Sequence, residues 1–225
     1  MDEVKPPEPF MTALVTEHFV LQGARSTLSA EIASRAALYL ASLTGSLIAL
    51  GFVASNGGLL GPFATAILPA LVILGEFTYW RLVQAGVEER HYRWEMMLIR
   101  AYYRRLVPPG LAFFAGDPAQ ALTAPVRRFM GIAAYDLNVL LTGGSMVAAI
   151  NSILAGTGLA LAVHALANMP AGQTIGLAAV VAIVLYLTHL RLTLHQYNVA
   201  LADLVEPGKS SGTTPSSPSA TSGGD

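Results

Sequence analysis

The sequence predicts an all-α membrane protein: four transmembrane helices arranged as two hairpins, with amphipathic helices on the cytoplasmic side. Three observations predict it. Only 12% of the residues are charged, against a hydrophobic share of 53% and a mean hydropathy of +0.53, whereas a soluble domain carries about 25% charge. Four apolar stretches, uncharged except for Glu76 in the second, approach or exceed the roughly 20 residues that a bilayer crossing takes. All 13 cations fall on one side of a four-span layout.

The elements follow in chain order. Residues 1–9, with Pro6, Pro7 and Pro9, are expected to be disordered. Residues 10–35 read as a helix, with Leu14, Leu21, Leu28 and Ile32 near helical spacing. Glu17, Arg25, Glu31 and Arg35 keep that helix in the cytoplasm or at the membrane surface. The first hairpin occupies 36–80. Its first span, 36–55, carries no charge, and Asn56, Gly57 and Gly58 make the turn. Its second span, 59–80, ends on Tyr79, Trp80 and Arg81, an aromatic and basic interface anchor, and Pro69 predicts a kink.

A cytoplasmic segment, 81–136, comes next. It begins as a helical continuation, with Val87, His91, Trp94, Leu98 and Tyr102 on one face, until Pro108, Pro109 and Gly110 stop it. The second hairpin occupies 137–191. Its first helix, 137–167, is longer than a span needs and is expected to tilt or protrude. Residues 168–173 form the turn, 174–190 the short last span, 192–206 a cytoplasmic helix, and 207–225 a Ser, Thr, Pro and Gly tail expected to be disordered.

Orientation follows from the cations. The turns at 56–58 and 168–173 carry none, and positive residues stay inside. Both termini and 81–136 are therefore expected in the cytoplasm, with the chain in the plasma (inner) membrane.

The stretch Glu17-His18-Phe19-Val20-Leu21-Gln22, with Ala24-Arg25-Ser26 and Arg35-Ala36 after it, resembles uncharacterised multi-pass integral membrane proteins of high-GC, actinobacterial-type bacteria. It covers about the first quarter of the chain and implies no activity. The general plan is similar to bacterial two-span effector domains in layout alone.

Ionisable and polar residues inside spans are candidates for function. Glu76 is the only acid within a predicted span, one turn from Trp80 and Arg81, and Arg35 is its expected partner. Asn151 and His164 are the polar candidates of the third helix. Their structural roles would be an interhelical hydrogen bond for Asn151 and an outer-interface position for His164. Small residues recur every four positions as Ala41, Gly45 and Ala49 in the first span and Gly144, Ala148, Ser152, Gly156 and Ala160 in the third. Such ridges let backbones approach closely, so the first and third helices are expected to pack through them, within the chain or between chains. Arg90, Arg93, Arg100, Arg104 and Arg105, interleaved with Trp94, Tyr102 and Tyr103, are candidate contacts for anionic lipid headgroups or an acidic partner.

Chemistry is sparse. There is no cysteine, so thiolate nucleophiles, disulfides and thiolate metal sites are excluded. The sequence contains no phosphate loop, HExxH or nucleophile elbow, and the histidines do not cluster. No catalytic residue, cofactor or metal is expected. A net charge of −1, with Glu88, Glu89 and Glu95 diluting the arginines, argues against nucleic acid. The expected partners are the lipid bilayer, anionic headgroups and a second copy of the chain. The expected role is a non-enzymatic scaffold or regulator acting through cytoplasmic helices; the alternative is an oligomeric pore or small transporter.

Overall fold

The structure is a computed structural model that describes residues 8–55, 58–106 and 142–205, with side chains described as far as 200. Residues 1–7 and 207–225 of the termini expected to be disordered, and all of 107–136 with Arg127 and Arg128, lie outside the described residues, whereas Glu8 and Pro9 belong to the first helix, where a proline in the first turn is tolerated. Among the described residues there are four α-helices and no strand: α1 Glu8–Ala54, α2 Leu60–Leu106, α3 Gly143–Ala167 and α4 Ala171–Val205. All four are long and apolar enough to cross a membrane, and the chain is a multi-pass membrane protein by that measure.

α1 and α2 are the longest elements. At 47 residues each they extend about 70 Å, more than twice a hydrocarbon core of roughly 30 Å. Neither breaks where its sequence turns from apolar to charged, because no glycine or proline stop stands at 35–36 or at 80–81. α2 also runs on through Pro69, which has no N–H to offer the carbonyl of Thr65. α4 likewise passes unbroken from its apolar part into 192–205, joining the expected last span and short helix into one element.

The ends of α3 have local causes. The expected start at 137 becomes Gly143, with residues 137–141 outside the described ones. Thr142, extended at φ −81° and ψ 155°, caps the helix by accepting a hydrogen bond from the Ser145 amide. Asn168 closes α3 in the left-handed conformation, φ 50° and ψ 42°. The turn is shorter than 168–173, because α4 starts at Ala171 and the Thr174 amide bonds back to the Pro170 carbonyl.

α1 packs antiparallel against α2. Phe10 meets Tyr102, Arg25 meets Glu89 and Glu31 meets Arg81, so ascending numbers on one helix meet descending numbers on the other. α3 packs on both α2 and α4. The main core, Tyr39, Tyr79, Leu82, Val83, Val147, Ala148 and Tyr197, draws on all four helices. It sits where the apolar and charged halves join. A second, smaller core of Leu21, Met96 and Ile99 ties the charged halves of α1 and α2. The apolar halves turn large side chains outward instead: Leu47, Phe52, Phe77, Ile175 and Ile183 are exposed. That arrangement suits a bilayer, where acyl chains solvate a leucine as well as another helix does.

The small-residue ridges part company here. On α3, Gly144, Ala148, Ser152, Gly156 and Ala160 are all buried. A Cβ on Gly156 would meet the backbone of Ala178 and Ala182 on α4, and one on Gly144 would touch Leu82 and Val83 on α2. On α1, Ala41 and Gly45 are exposed, Ala49 is half-buried, and a Cβ on Gly45 would meet nothing within 4 Å. The expected α1–α3 ridge contact is therefore corrected within this chain. The α3 ridge serves α2 and α4, because α1 is drawn to α2 by ion pairs and by Leu21, Leu28 and Tyr39.

Candidate functional site

Glu76, itself part-buried, is the centre of a polar cluster to which every helix contributes. It lies on α2 four residues before Trp80, about 6 Å along the axis. Its Oε1 accepts from Asn151 Nδ2 of α3 at 2.9 Å. Both carboxyl oxygens face His189 Nε2 of α4, at 2.9 and 3.2 Å. Asn151 also donates to the Val72 carbonyl at 3.2 Å, and its Oδ1 accepts from Tyr39 of α1 at 3.5 Å, the weakest bond of the set.

Asn151 reaches this position because residue 75 is glycine. A Cβ there would overlap the Asn151 side chain, so Gly75 makes room for the amide between α2 and α3. His189 is fixed from the other side. Its Nδ1 lies 2.8 Å from the Leu185 carbonyl, and its ring meets Tyr79 edge-on at 4.6 Å. The Tyr79 hydroxyl donates to the His189 carbonyl at 2.7 Å and pairs with Thr193 Oγ1 at 2.8 Å. Leu185, His189, Thr193 and Tyr197 recur every four residues on one ridge of α4. Tyr197 ends that ridge against Gly86 of α2, with the Arg90 guanidinium over its ring at 3.9 Å.

The expected pairing of Glu76 with Arg35 does not occur. Arg35 donates to Glu31 at 2.8 Å, one turn back on its own helix. Arg81 of α2 clasps the same carboxylate with two nitrogens, at 2.9 and 3.0 Å, and reaches Glu88 at 3.0 Å. Glu31 thus takes the role expected of Glu76. Hydrogen bonds from Arg81, then Arg35, hold its carboxyl down at about 2. The same bonds from Glu31 and Glu88 raise Arg81.

The charged halves carry a second clasp. Glu89 binds Arg25 of α1 at 2.7 Å and Arg93 at 2.7 and 2.9 Å. Burial pushes Glu89 up, and the bonds from Arg93 and Arg25 outweigh it, so its carboxyl falls below the ordinary range. Burial beside Tyr197 lowers Arg90. Of the candidate arginines, Arg90 and Arg93 are therefore engaged inside the protein. Arg100 and Arg105 are exposed and Arg104 is half-buried, near the far end of α2. Arg100 lies about 30 Å along the axis from Trp80.

No protein-family model, curated protein or solved structure matches this chain.

His164 stands apart from the cluster, at the opposite end of α3. It binds the Met169 carbonyl at 2.6 Å and lies 3.4 Å from Thr174 Oγ1, which ties the α3–α4 turn. Among the described residues no group of three or more His, Cys, Asp or Glu side chains could hold a metal ion. The sequence reading missed His189 and Asn151 as the partners of Glu76, and Gly75 as the residue that makes room for Asn151. Adjacent Gly75 and Glu76 in an apolar run are the available signal, since a small residue beside an intramembrane acid leaves room for a donor. Above the cluster, an apolar groove of about 590 Å³ runs between α2 and α3 from Leu60 to Val72, past Gly61, Pro69 and Gly158. Small residues and the unpaired Thr65–Pro69 turn leave this space.

Proposed function

We propose that this chain is a non-enzymatic membrane scaffold or regulator. It spans the membrane as two hairpins with both termini in the cytoplasm, and it presents the charged halves of α1 and α2 as a rigid platform for a protein partner. The single observation behind this reading is the unbroken passage of α1 and α2 out of their apolar halves. The 28 residues from 8 to 35 and the 26 from 81 to 106 extend about 40 Å. The Glu31–Arg81 and Arg25–Glu89 ion pairs join them, so the platform does not depend on a partner for its shape.

Its surface has the composition of a contact site. Val15, Phe19, Val20 and Leu98 are exposed in this charged half, with Arg100 and Arg105 exposed near its tip. An acidic, amphipathic protein segment is the complementary ligand. Headgroups of the same membrane are the poorer match, since the tip arginines stand about 30 Å from the Trp80 level.

The test is photocrosslinking in cells from probes at Phe19 and Leu98, with Phe52 and Ile175 as membrane controls. A discrete protein adduct is expected at the first two, and Phe19→Glu with Leu98→Glu should abolish it. Lipid-only adducts at all four positions would refute the platform. Cysteines at Gly58 and Gly172 should label from outside intact cells and one at Thr12 should not. The pore or transporter reading is favoured by one observation, a carboxylate 39% exposed inside a span. It predicts ion flux in liposomes that Glu76→Gln alters, whereas the scaffold predicts none.

A further inference from the structure

The geometry points to Glu76 and His189 as an intramembrane site that binds one exchangeable proton, with the Glu76–His189 link between α2 and α4 made only while that proton is bound. This stands independently of the platform proposed above. The proton count follows from the hydrogen bonds. His189 Nδ1 lies 2.8 Å from the Leu185 carbonyl. A carbonyl oxygen only accepts, so Nδ1 carries a hydrogen. The other ring nitrogen, Nε2, faces Glu76 Oε1 at 2.9 Å. A bare nitrogen and an ionised oxygen at that distance would present lone pairs to each other, so one proton must lie between them.

That proton can be written on either atom. One form is a carboxylic acid donating to neutral imidazole; the other is an imidazolium donating to carboxylate. Both hold the same single proton and both leave the pair with zero net charge. Removing it leaves a carboxylate opposite a lone pair: the bond is lost and a net negative charge stays within the span. Among the described residues no cation is packed against the pair, and the Asn151 amide that donates to Glu76 offsets only part of such a charge. From α1 the facing titratable group is the phenol of Tyr39, and from α2 that of Tyr79. α4 adds the phenols of Tyr186 and Tyr197, and α3 presents the neutral Asn151. The cation next along α2, Arg81, is engaged by Glu31 and Glu88, and Arg35 by Glu31. Arg191, two residues beyond His189, is exposed.

Burial sets the route. The His189 side chain is 10% exposed and that of Glu76 is 39% exposed, so the proton enters and leaves through the carboxylate. Occupancy also reaches the charged side. His189 shares its ridge with Thr193 and Tyr197, and the latter seats α4 on Gly86 and Arg90 of α2. Loss of the Glu76 bond leaves this part of α4 tied to α2 by Tyr79, which bonds the His189 carbonyl and Thr193, and α4 can then pivot on that tie away from Gly86.

The experiment uses the full chain in nanodiscs, with spin labels at the exposed positions Gln84 on α2 and Gln196 on α4, and the proton itself as ligand. In the otherwise unaltered protein the label separation should be short at low pH and lengthen reversibly as pH is raised. In Glu76→Gln the side-chain amide donates permanently to Nε2, so the separation should stay short at every pH. No movement in the parent protein, or the same movement in Glu76→Gln, would overturn the proposal. Histidine ¹⁵N resonances of the unmutated chain give a second test. His189 Nδ1 should remain protonated throughout while Nε2 changes together with the carboxyl signal of Glu76, and a deprotonated Nδ1 refutes the assignment.

Discussion

Two glycines with the same sequence signature should answer the same substitution with opposite signs. Gly156 on α3 and Gly45 on α1 each belong to a four-residue ridge of small side chains. A Cβ at Gly156 would lie 2.6 Å from the Ala178 carbonyl oxygen, 2.9 Å from the Ala182 nitrogen and 3.2 Å from the Ala182 Cβ. Two of those atoms are backbone and cannot rotate aside. α3 and α4 must then move apart, and gaps of 0.5–1 Å forfeit about a quarter to a half of each dispersion contact along the ridge. Overpacking of this kind costs about 1–3 kcal/mol, and alanine's better helix propensity returns at most about 1 kcal/mol. Gly156→Ala should therefore lose up to about 2 kcal/mol. A Cβ at Gly45 meets nothing within 4 Å, so Gly45→Ala should be neutral or gain up to about 1 kcal/mol. Thermal unfolding in detergent, followed by far-UV circular dichroism, should separate the two by several degrees, on a scale of about 2–4 °C per kcal/mol at this chain length. Gly156→Ala matching or exceeding Gly45→Ala in Tm would refute the packing argument. Gly45→Leu should also leave the Tm of the monomer unchanged; a drop accompanied by loss of an oligomer would place that ridge between chains.

Asn151→Ala removes the bonds to Val72 and Glu76 and should cost about 1–2 kcal/mol in the same assay. Gly75→Ala should be destabilising alone yet tolerated on top of Asn151→Ala, since Asn151 is what the new methyl would strike; additive losses would count against that contact. The Ser152 hydroxyl is buried without a hydrogen bond among the described residues, so Ser152→Ala should be neutral or stabilising, and a loss above about 1 kcal/mol would mean a missed partner. Glu31 has its carboxyl lowered from 4.5 to about 2. Its contribution is therefore complete above about 4.5 and is lost as pH falls toward about 2. Spin labels at Thr27 and Gln84 should report opening of the charged α1–α2 contact only in that acid window, with Glu89 acting in the same direction; opening already complete above pH 4.5 would exclude the Arg81 clasp as its hold.

Residue type and run length explain why the four helices were readable. A span is a local property: about 20 uncharged apolar residues are one wherever they pack. The continuity of α2 was equally local and expected; that of α1, read as two elements, rests on the same cause, because charged residues such as Arg25 and Glu89 are good helix formers and nothing between 8 and 54 or 70 and 106 stops a helix. The Thr142 cap was less visible. Its role in the Thr-Gly-Gly-Ser run at 142–145 lies in one bond from the Ser145 amide to the Thr142 side chain.

Partner choice was another matter. Ala41-Gly45-Ala49 and Gly144-Ala148-Ser152-Gly156-Ala160 share one period, yet only the second is buried. Periodicity specifies a face and not what covers it, and in lipid an uncovered apolar face carries no penalty that would mark the sequence. Arg35 and Glu76 occupy neighbouring levels of the membrane and looked like partners from their positions along the chain. The azimuth of each helix turned Arg35 to Glu31 and brought Glu76 to Asn151 and to a histidine 113 residues away. Helix number, length and polarity are thus written in the chain one segment at a time. The meeting of Glu76, Asn151, His189 and Tyr79 depends on how four helices rotate against one another, which only their joint packing settles.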